Sequence, residues 1–282
     1  MNPLNRKFVL LAGCATLILF IILGSSLFLI NKQRNQLFEI SSYKIYYDEP
    51  SRAVVKEMSR YPLVIIEPVY YTKKQIAEIQ ENGTLVYGYI NSMESDKWNE
   101  ELFRQFEDQD FYRGDHGERV YIKKWDAYLM NMTSDHYRST LLEEIKNQII
   151  DKQLDGVFLD TVGDIDDYFI DDPKEMGRQQ TGLIQLLKEL ESRQISVIQN
   201  WGMRTLQKTA PYIDGFMWED FQYSEIMMDD WSRKWMKKTR RLAEDYEIEI
   251  FTVSEKEKRK SEQLSEDQGF IHYYAPRGYE EW

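Results

Sequence analysis

Leu154-Asp155-Gly156-Val157-Phe158-Leu159-Asp160-Thr161 is a short apolar run with turn-forming residues on both sides. Four consecutive apolar residues without alternation suit a strand buried on both faces, as in a parallel sheet covered by helices. Asp160 ends the run. A carboxylate there is costly unless it faces a polar cleft or has a partner. A competing reading has Asp160 capping the following turn through Thr161 and Val162.

Similar runs recur in both directions along the chain. Strand candidates are 43–47, 63–66, 85–90, 128–132, 156–159, 196–199, 215–218, 248–253 and 270–274, rich in Val, Ile, Tyr and Phe. Between them lie amphipathic helices. In 138–153, Leu141, Leu142, Ile145, Ile149 and Ile150 share one stripe. Leu183, Ile184, Leu186, Leu187 and Leu190 form a second stripe. A third, from Trp231 and Trp235 to Tyr246, opposes Arg233, Lys237, Lys238 and Arg241. These stripes are core. Strand–helix alternation without a composition break predicts one α/β domain, a (β/α)8 TIM-type barrel. No Gly-rich G-x-G-x-x-G turn follows any strand, which argues against an open dinucleotide-binding sheet. Nine candidates for eight places mean that one run is extra or misread. Residues 255–268, dense in Lys, Glu, Ser and Gln, read as a solvated loop or short surface helix.

Ahead of the barrel, residues 8–30 form an apolar run without a charge. About 20 such residues cross a ~30 Å hydrocarbon core at 1.5 Å each. The expected organisation is a cytoplasmic N-terminus (1–7), a transmembrane anchor (8–30), a linker (31–42) and a barrel (43–282). Arg6 and Lys7 precede the run and Lys32 and Arg34 follow it, so orientation rests mainly on the short leading segment. The chain is then a single-pass protein of the cell membrane with its barrel extracytoplasmic. Two processed forms compete: cleavage near Gly24-Ser25-Ser26, and lipidation at Cys14 after Leu11-Ala12-Gly13.

Cys14 is the only cysteine, so the barrel carries no disulfide. His116, His136 and His272 are scattered without ligand spacing, and neither a metal nor a cofactor is expected. Net charge is −12; residues 1–37 hold four cations and no acid, which leaves −16 on residues 38–282. Such a surface repels nucleic acid and attracts cationic ligands, although solubility alone also explains it.

Barrel active sites lie at the C-terminal ends of the strands. Those ends hold Glu67, Asn91, Glu94, Asn131, Asp160, Asn200 and Glu219, with Tyr89, Trp98, Trp125, Trp201, Trp218 and Tyr274 nearby. Carboxylates do acid, base and nucleophilic work on a glycosidic bond, while amides and aromatic rings hold the sugar. Asp160 and Glu219, each closing an apolar strand, are the catalytic candidates. Glu67, Tyr89, Asn91, Glu94, Trp125, Asn131, Asn200, Trp218 and Tyr274 are the substrate-binding candidates. Glu219 is the better candidate for a raised pKa if Trp218 or another aromatic shields it.

The series Gly88-Tyr89-Ile90-Asn91-Ser92-Met93-Glu94, Trp125 with Asn131, Asp155 to Asp160, Gln199-Asn200 and Glu219 resembles the endo-α-1,4-polygalactosaminidase family. These are (β/α)8 glycoside hydrolases related to hydrolase domains of Pel-type exopolysaccharide systems. The resemblance spans roughly residues 43–275, and Gly156 to Asp160 is its most specific piece. It implies endo-hydrolysis of an α-1,4-linked, partly deacetylated and so cationic galactosamine polymer, with retention of configuration. It places Asp160 and Glu219 at the acidic catalytic positions, and Asn200 and Glu94 in the cleft. Exopolysaccharide synthesis machinery is the implied partner. The two roles stay open, with Asp160 favoured as nucleophile and Glu219 as acid/base. Met93 stands where the family usually has Gly, and Gly163-Asp164 where an acid usually comes one position earlier. These departures keep alive an alternative: a catalytically weak barrel that binds polysaccharide during synthesis or export.

Overall fold

In the computed structural model, which describes residues 35–282, most of the apolar runs become barrel strands. In chain order the strands are β1 (Tyr43–Tyr46), β2 (Leu63–Ile66), β3 (Leu85–Asn91), β4 (Glu94–Asp96), β5 (Tyr121–Ile122), β6 (Ala127–Leu129), β7 (Gly156–Asp160), β8 (Ser196–Asn200), β9 (Gly215–Trp218), β10 (Glu249–Ser254) and β11 (Ile271–Tyr274). Eight form one parallel sheet in the order β1-β2-β3-β7-β8-β9-β10-β11. The sheet curls until its edges face each other. Tyr43 packs on Tyr273 with ring centroids 5.6 Å apart, and beyond the strands Tyr47 N donates to Tyr279 O at 2.8 Å. The predicted anchor, residues 8–30, lies outside the described residues, among which no helix is long and apolar enough to cross a membrane.

Alternation along the strands divides the core in two. Ile45, Ile65, Tyr87, Phe158, Ile198, Met217 and Phe251 fill the barrel interior, joined by Leu37. Their neighbours, such as Val64, Val157, Val197 and Phe216, face outward against the helices. Because side chains on a strand alternate, whatever stands two residues beyond an interior residue also points along the barrel axis. That rule puts Asp160 above Phe158, Asn200 above Ile198 and Glu219 above Met217.

The opposite ends of the same strands are pinned by half-buried acids. Asp155 Oδ2 accepts from Val86 N and Gln80 Nε2, both at 2.8 Å. Asp214 Oδ2 accepts from Val197 N at 3.0 Å and Ser196 Oγ at 2.8 Å. Each acid precedes a glycine that leaves room for a bulky neighbour. A Cβ on Gly156 would lie 2.3 Å from the Tyr87 ring and 2.7 Å from Ser196 O.

The run 128–132 is the misread one. Residues Ala127–Leu129 form β6, the middle strand of a small antiparallel sheet, order β4-β6-β5, inserted between β3 and β7. Leu129, Met130 and Met132 are as buried as barrel residues, so an apolar run there could not tell this sheet from the barrel. The helix expected over 138–153 is α-helical over Asp135–Ile145 and closes with a π turn, Lys146–Ile150. That turn sends Ile149 toward β3, where its Cδ1 lies 2.3 Å from the position a Cβ on Gly88 would take. Within 255–268 the chain forms a surface helix, Lys258–Asp267, held down by Leu264.

Candidate active site

Three neighbouring strands deliver the central groups. Asn200 Nδ2 donates to Asp160 Oδ1 at 2.6 Å and to Glu219 Oε2 at 3.3 Å, so one amide joins the two carboxylates. Those two lengths, 2.6 and 3.3 Å, cap the separation of the bonded oxygens at about 6 Å. Asp160 Oδ1 also accepts from Thr161 N at 2.7 Å. The helix that follows, Gly163–Tyr168, has Val162 at its N-cap and no side-chain cap bond, so Asp160 holds only the neighbouring Thr161 N–H and does not cap it. Tyr279 OH donates to Glu219 Oε1 at 2.6 Å. Tyr89, inside the barrel, has its pKa raised by burial and then by the charge of Asp160.

The residue after each of these groups is strained. Thr161, Trp201 and Asp220 have φ of 62°, 56° and 56°, in the left-handed region that L residues avoid. For a β-branched threonine this is a marked outlier, and such outliers persist where the surroundings over-determine them. Here hydrogen bonds do so. Thr161 Oγ1 lies 2.6 Å from Asn91 Oδ1 and accepts from Met93 N at 2.8 Å. Ser92 Oγ donates to Asp160 O at 2.5 Å. The loop after β3 is thus tied to the end of β7, where Asn91 pairs with Asp160 in register.

Burial, then the nearby charge of Asp160, pushes the Glu219 carboxyl up to about 7, against the opposing hydrogen bonds of Tyr279 and Asn200. Among the described residues neither Asp160 nor Glu219 is ion-paired with a Lys or Arg. The Glu94 and Asp164 carboxyl groups influence each other, and burial raises them to about 7 and about 8. Two carboxyl groups so placed disfavour both being charged at once. Asn200 Oδ1 is buried and has no partner among the described residues, leaving an acceptor free for a ligand.

Not every predicted residue reaches this cleft. Glu67, Tyr89, Asn91 and Glu94 line one cavity beside it, together with Asp96 and Trp98. Asn131 does not: it closes its own turn, with Oδ1 accepting from Thr133 N at 3.1 Å and Gln179 Nε2 at 3.1 Å. It follows β6, outside the barrel, so it never had a strand end on the barrel rim. Trp125 is 59 % exposed in the tight turn between β5 and β6. Trp218 is buried in the outer layer, against Trp201 and Phe221, because Met217 and Glu219 take the inward places on either side. Tyr274 likewise faces outward, beneath Lys258, while Tyr273 faces the interior.

The aromatic group that does touch Glu219 is Tyr279. Tyr279 donates to it directly, and the charge of Glu219 helps raise the pKa of Tyr43 and Tyr47, with burial the larger cause. Sequence reasoning missed Tyr279. The available clue was its position past the last strand, in a loop that must return over the rim. Among the described residues no group of three His, Cys, Asp or Glu is placed to hold a metal ion.

A family model described as glycoside-hydrolase family GH114 matches residues 30–259. No curated protein matches the chain. Among solved structures, the glycoside hydrolase domain of PelA from Pseudomonas aeruginosa is 16 % identical, covering 83 % of this chain and 94 % of that one with a TM-score of 0.64. Ega3 from Aspergillus fumigatus, solved in complex with galactosamine, is 16 % identical over 76 % of each chain, with a TM-score of 0.57. An α-galactosidase from Thermus thermophilus is 10 % identical, covering 85 % of this chain and 59 % of that one with a TM-score of 0.56. At these identities the structures speak to the fold, a TIM-type barrel. The family model, spanning most of the sequence, carries the assignment: this chain belongs to glycoside hydrolase family GH114.

Proposed function

We propose that this glycoside hydrolase cuts an α-1,4-linked, partly deacetylated galactosamine polysaccharide internally, by a retaining two-carboxylate route. The observation that carries the reading is the Asp160–Asn200–Glu219 bridge. Retaining pairs stand ~5–5.5 Å apart, and inverting pairs about 6.5–9.5 Å, to admit a water. Two oxygens bonded to one amide nitrogen at 2.6 and 3.3 Å fit the shorter class.

In this scheme Asp160 attacks the anomeric carbon as Glu219 gives its proton to the departing glycosidic oxygen. A glycosyl ester on Asp160 results. Water then adds to the anomeric carbon, Glu219 takes its proton, and the Asp160 carboxylate is released. A carboxyl raised to about 7 suits both halves, being protonated for the first and a competent base for the second. PelA, a glycoside hydrolase domain, supports glycoside hydrolysis, and Ega3, bound to galactosamine, supports an amino-sugar substrate. So does the −16 charge on residues 38–282. The apolar run 8–30 supports tethering at the outer face of the cell membrane, beside exopolysaccharide synthesis machinery.

The test is reducing-end release from deacetylated galactosaminoglycan by wild type, Asp160→Asn and Glu219→Gln. Wild type should release mixed oligosaccharides with the α-anomer first, and each variant should lose at least about a thousandfold. Wild-type turnover by Glu219→Gln would remove it from the chemistry. Polymer bound but never cut would leave the polysaccharide-binding barrel.

A further inference from the structure

Beside the catalytic bridge, where β2 and β3 end against β4, lies a cavity lined by Glu67, Glu94, Ser95, Asp96, Trp98 and Glu144. Its free space is about 40 Å³, room for two or three water-sized groups and not for a whole sugar. Four carboxyl groups face so small a volume, and among the described residues none of the four is ion-paired. Burial raises Glu67 to about 8 and Glu94 to about 7, and raises Asp96 and Glu144 as well. The cations that act here, Lys152 on Glu67 and Glu144 and Lys124 on Glu94, rank below burial as influences. Lys152 Nζ is already turned to Pro68 O at 2.7 Å.

Two further features point to a ligand. Ser95 is 2 % exposed, and its Oγ has no partner among the described residues. Burying a hydroxyl without a partner is costly, and a donor or acceptor arriving with a ligand would relieve it. At the mouth stands Trp98, 55 % exposed and near enough to Asp96 to act on its carboxyl. Asp96 in turn accepts from Asn91 Nδ2 at 3.1 Å, and Asn91 is the register partner of Asp160. Adjacent strands lie about 4.8 Å apart, so the cavity sits one to two strand spacings from Asp160.

We propose that this cavity is a subsite for the ammonium group of an unacetylated amino sugar neighbouring the one being cleaved, with Trp98 carrying that sugar's apolar face. The assignment rests on the hydrolase reading above and adds where the polymer's charge is read. An ammonium brings three donors and a positive charge to acids that otherwise keep their protons. An acetamide brings no charge and more bulk.

The probes are a deacetylated galactosamine hexamer and its fully N-acetylated counterpart, titrated calorimetrically into the full chain carrying Asp160→Asn. Glu67→Gln keeps an acceptor for Val69 N, which Glu67 Oε1 binds at 3.4 Å. It should weaken the deacetylated hexamer about tenfold and leave the acetylated one unchanged. Glu144→Gln, from the opposite wall, should act alike, and thermal melts establish that each variant folds. Trp98→Ala should weaken both probes. Equal affinity of Glu67→Gln and its parent for the deacetylated hexamer overturns the subsite, even while the wild type cleaves the polymer. Charge-dependent binding with no wild-type cleavage keeps the subsite and removes the hydrolytic reading for this polymer. Absence of binding removes the subsite.

Discussion

Thr161 shows how much of the site rests on one small side chain. Its backbone N–H holds Asp160, and its Oγ1 serves Asn91 and the backbone of Met93. Thr161→Val keeps the shape and removes those hydroxyl bonds, so it should cost about 1–3 kcal/mol of stability. It should also lower kcat well beyond KM, while Thr161→Ser restores both. Equal kcat in Val and Thr enzymes would make the loop tie irrelevant to catalysis. Glu219 gives a second prediction. In the proposed scheme its protonated form starts the reaction, so kcat/KM should fall as pH rises through about 7. The Tyr279 hydrogen bond favours the carboxylate, so Tyr279→Phe should move that limb to higher pH. A limb that stays put separates Tyr279 from the titration. At this scale the sequence exposed Asp160, Asn200 and Glu219 because each closes an apolar strand. It misplaced Trp218, although adjacent strand residues cannot both face inward, and Glu219 already claimed that side.

At the scale of elements, β7 and β9 repeat one arrangement: an acid pinning the preceding strand, a glycine beneath a bulky neighbour, and an acid in the cleft five residues on. Asp155 and Asp160 do this on β7, and Asp214 and Glu219 on β9. Each strand is therefore fixed in register at its foot, five residues before it presents its acid at the rim. Gly156→Ala tests this. Its methyl would meet the Tyr87 ring and Ser196 O, parts of the chain Tyr87 OH to Ser196 Oγ (2.7 Å) to Asp214 (2.8 Å). Overpacking of this kind costs about 1–3 kcal/mol, and denaturant melts should show it. An unchanged midpoint would mean that the foot of the barrel yields freely. Most of the barrel strands were legible because burial on both faces leaves an apolar run, while β11, half-buried throughout, showed through its Ile and Tyr residues. The excursion between β3 and β7 was not, since Leu129 and Met130 are buried just as fully in an antiparallel pairing. Burial reports that a strand is covered, not which strand lies beside it.

Across the whole molecule, acids with raised pKa values make stability depend on pH in an unusual sense. Burial lifts Glu67 and Asp164 to about 8, and Glu94, Glu219 and Glu249 to about 7. Unfolded, the same groups release protons near 4–4.5. Between those limits the folded chain holds more protons than the unfolded one, so unfolding free energy declines as pH rises. His272 works the other way: burial lowers it from 6.5 to about 4, so its contribution grows with pH until about 6.5 and is then complete. The two trends oppose each other below pH 6.5, and above it only the carboxyl trend remains. Tm should therefore drop between pH 6.5 and 8. Repulsion within the −16 barrel region acts in the same direction, but salt screens surface charge far more than it screens buried groups. The part of the drop that survives in 0.5 M NaCl measures the buried acids, and Glu249→Gln, far from the cleft at the foot of β10, should shrink it without altering hydrolysis. A Tm that is flat or rising over this range would mean that these carboxyl groups find cations in solution that the fold itself does not supply.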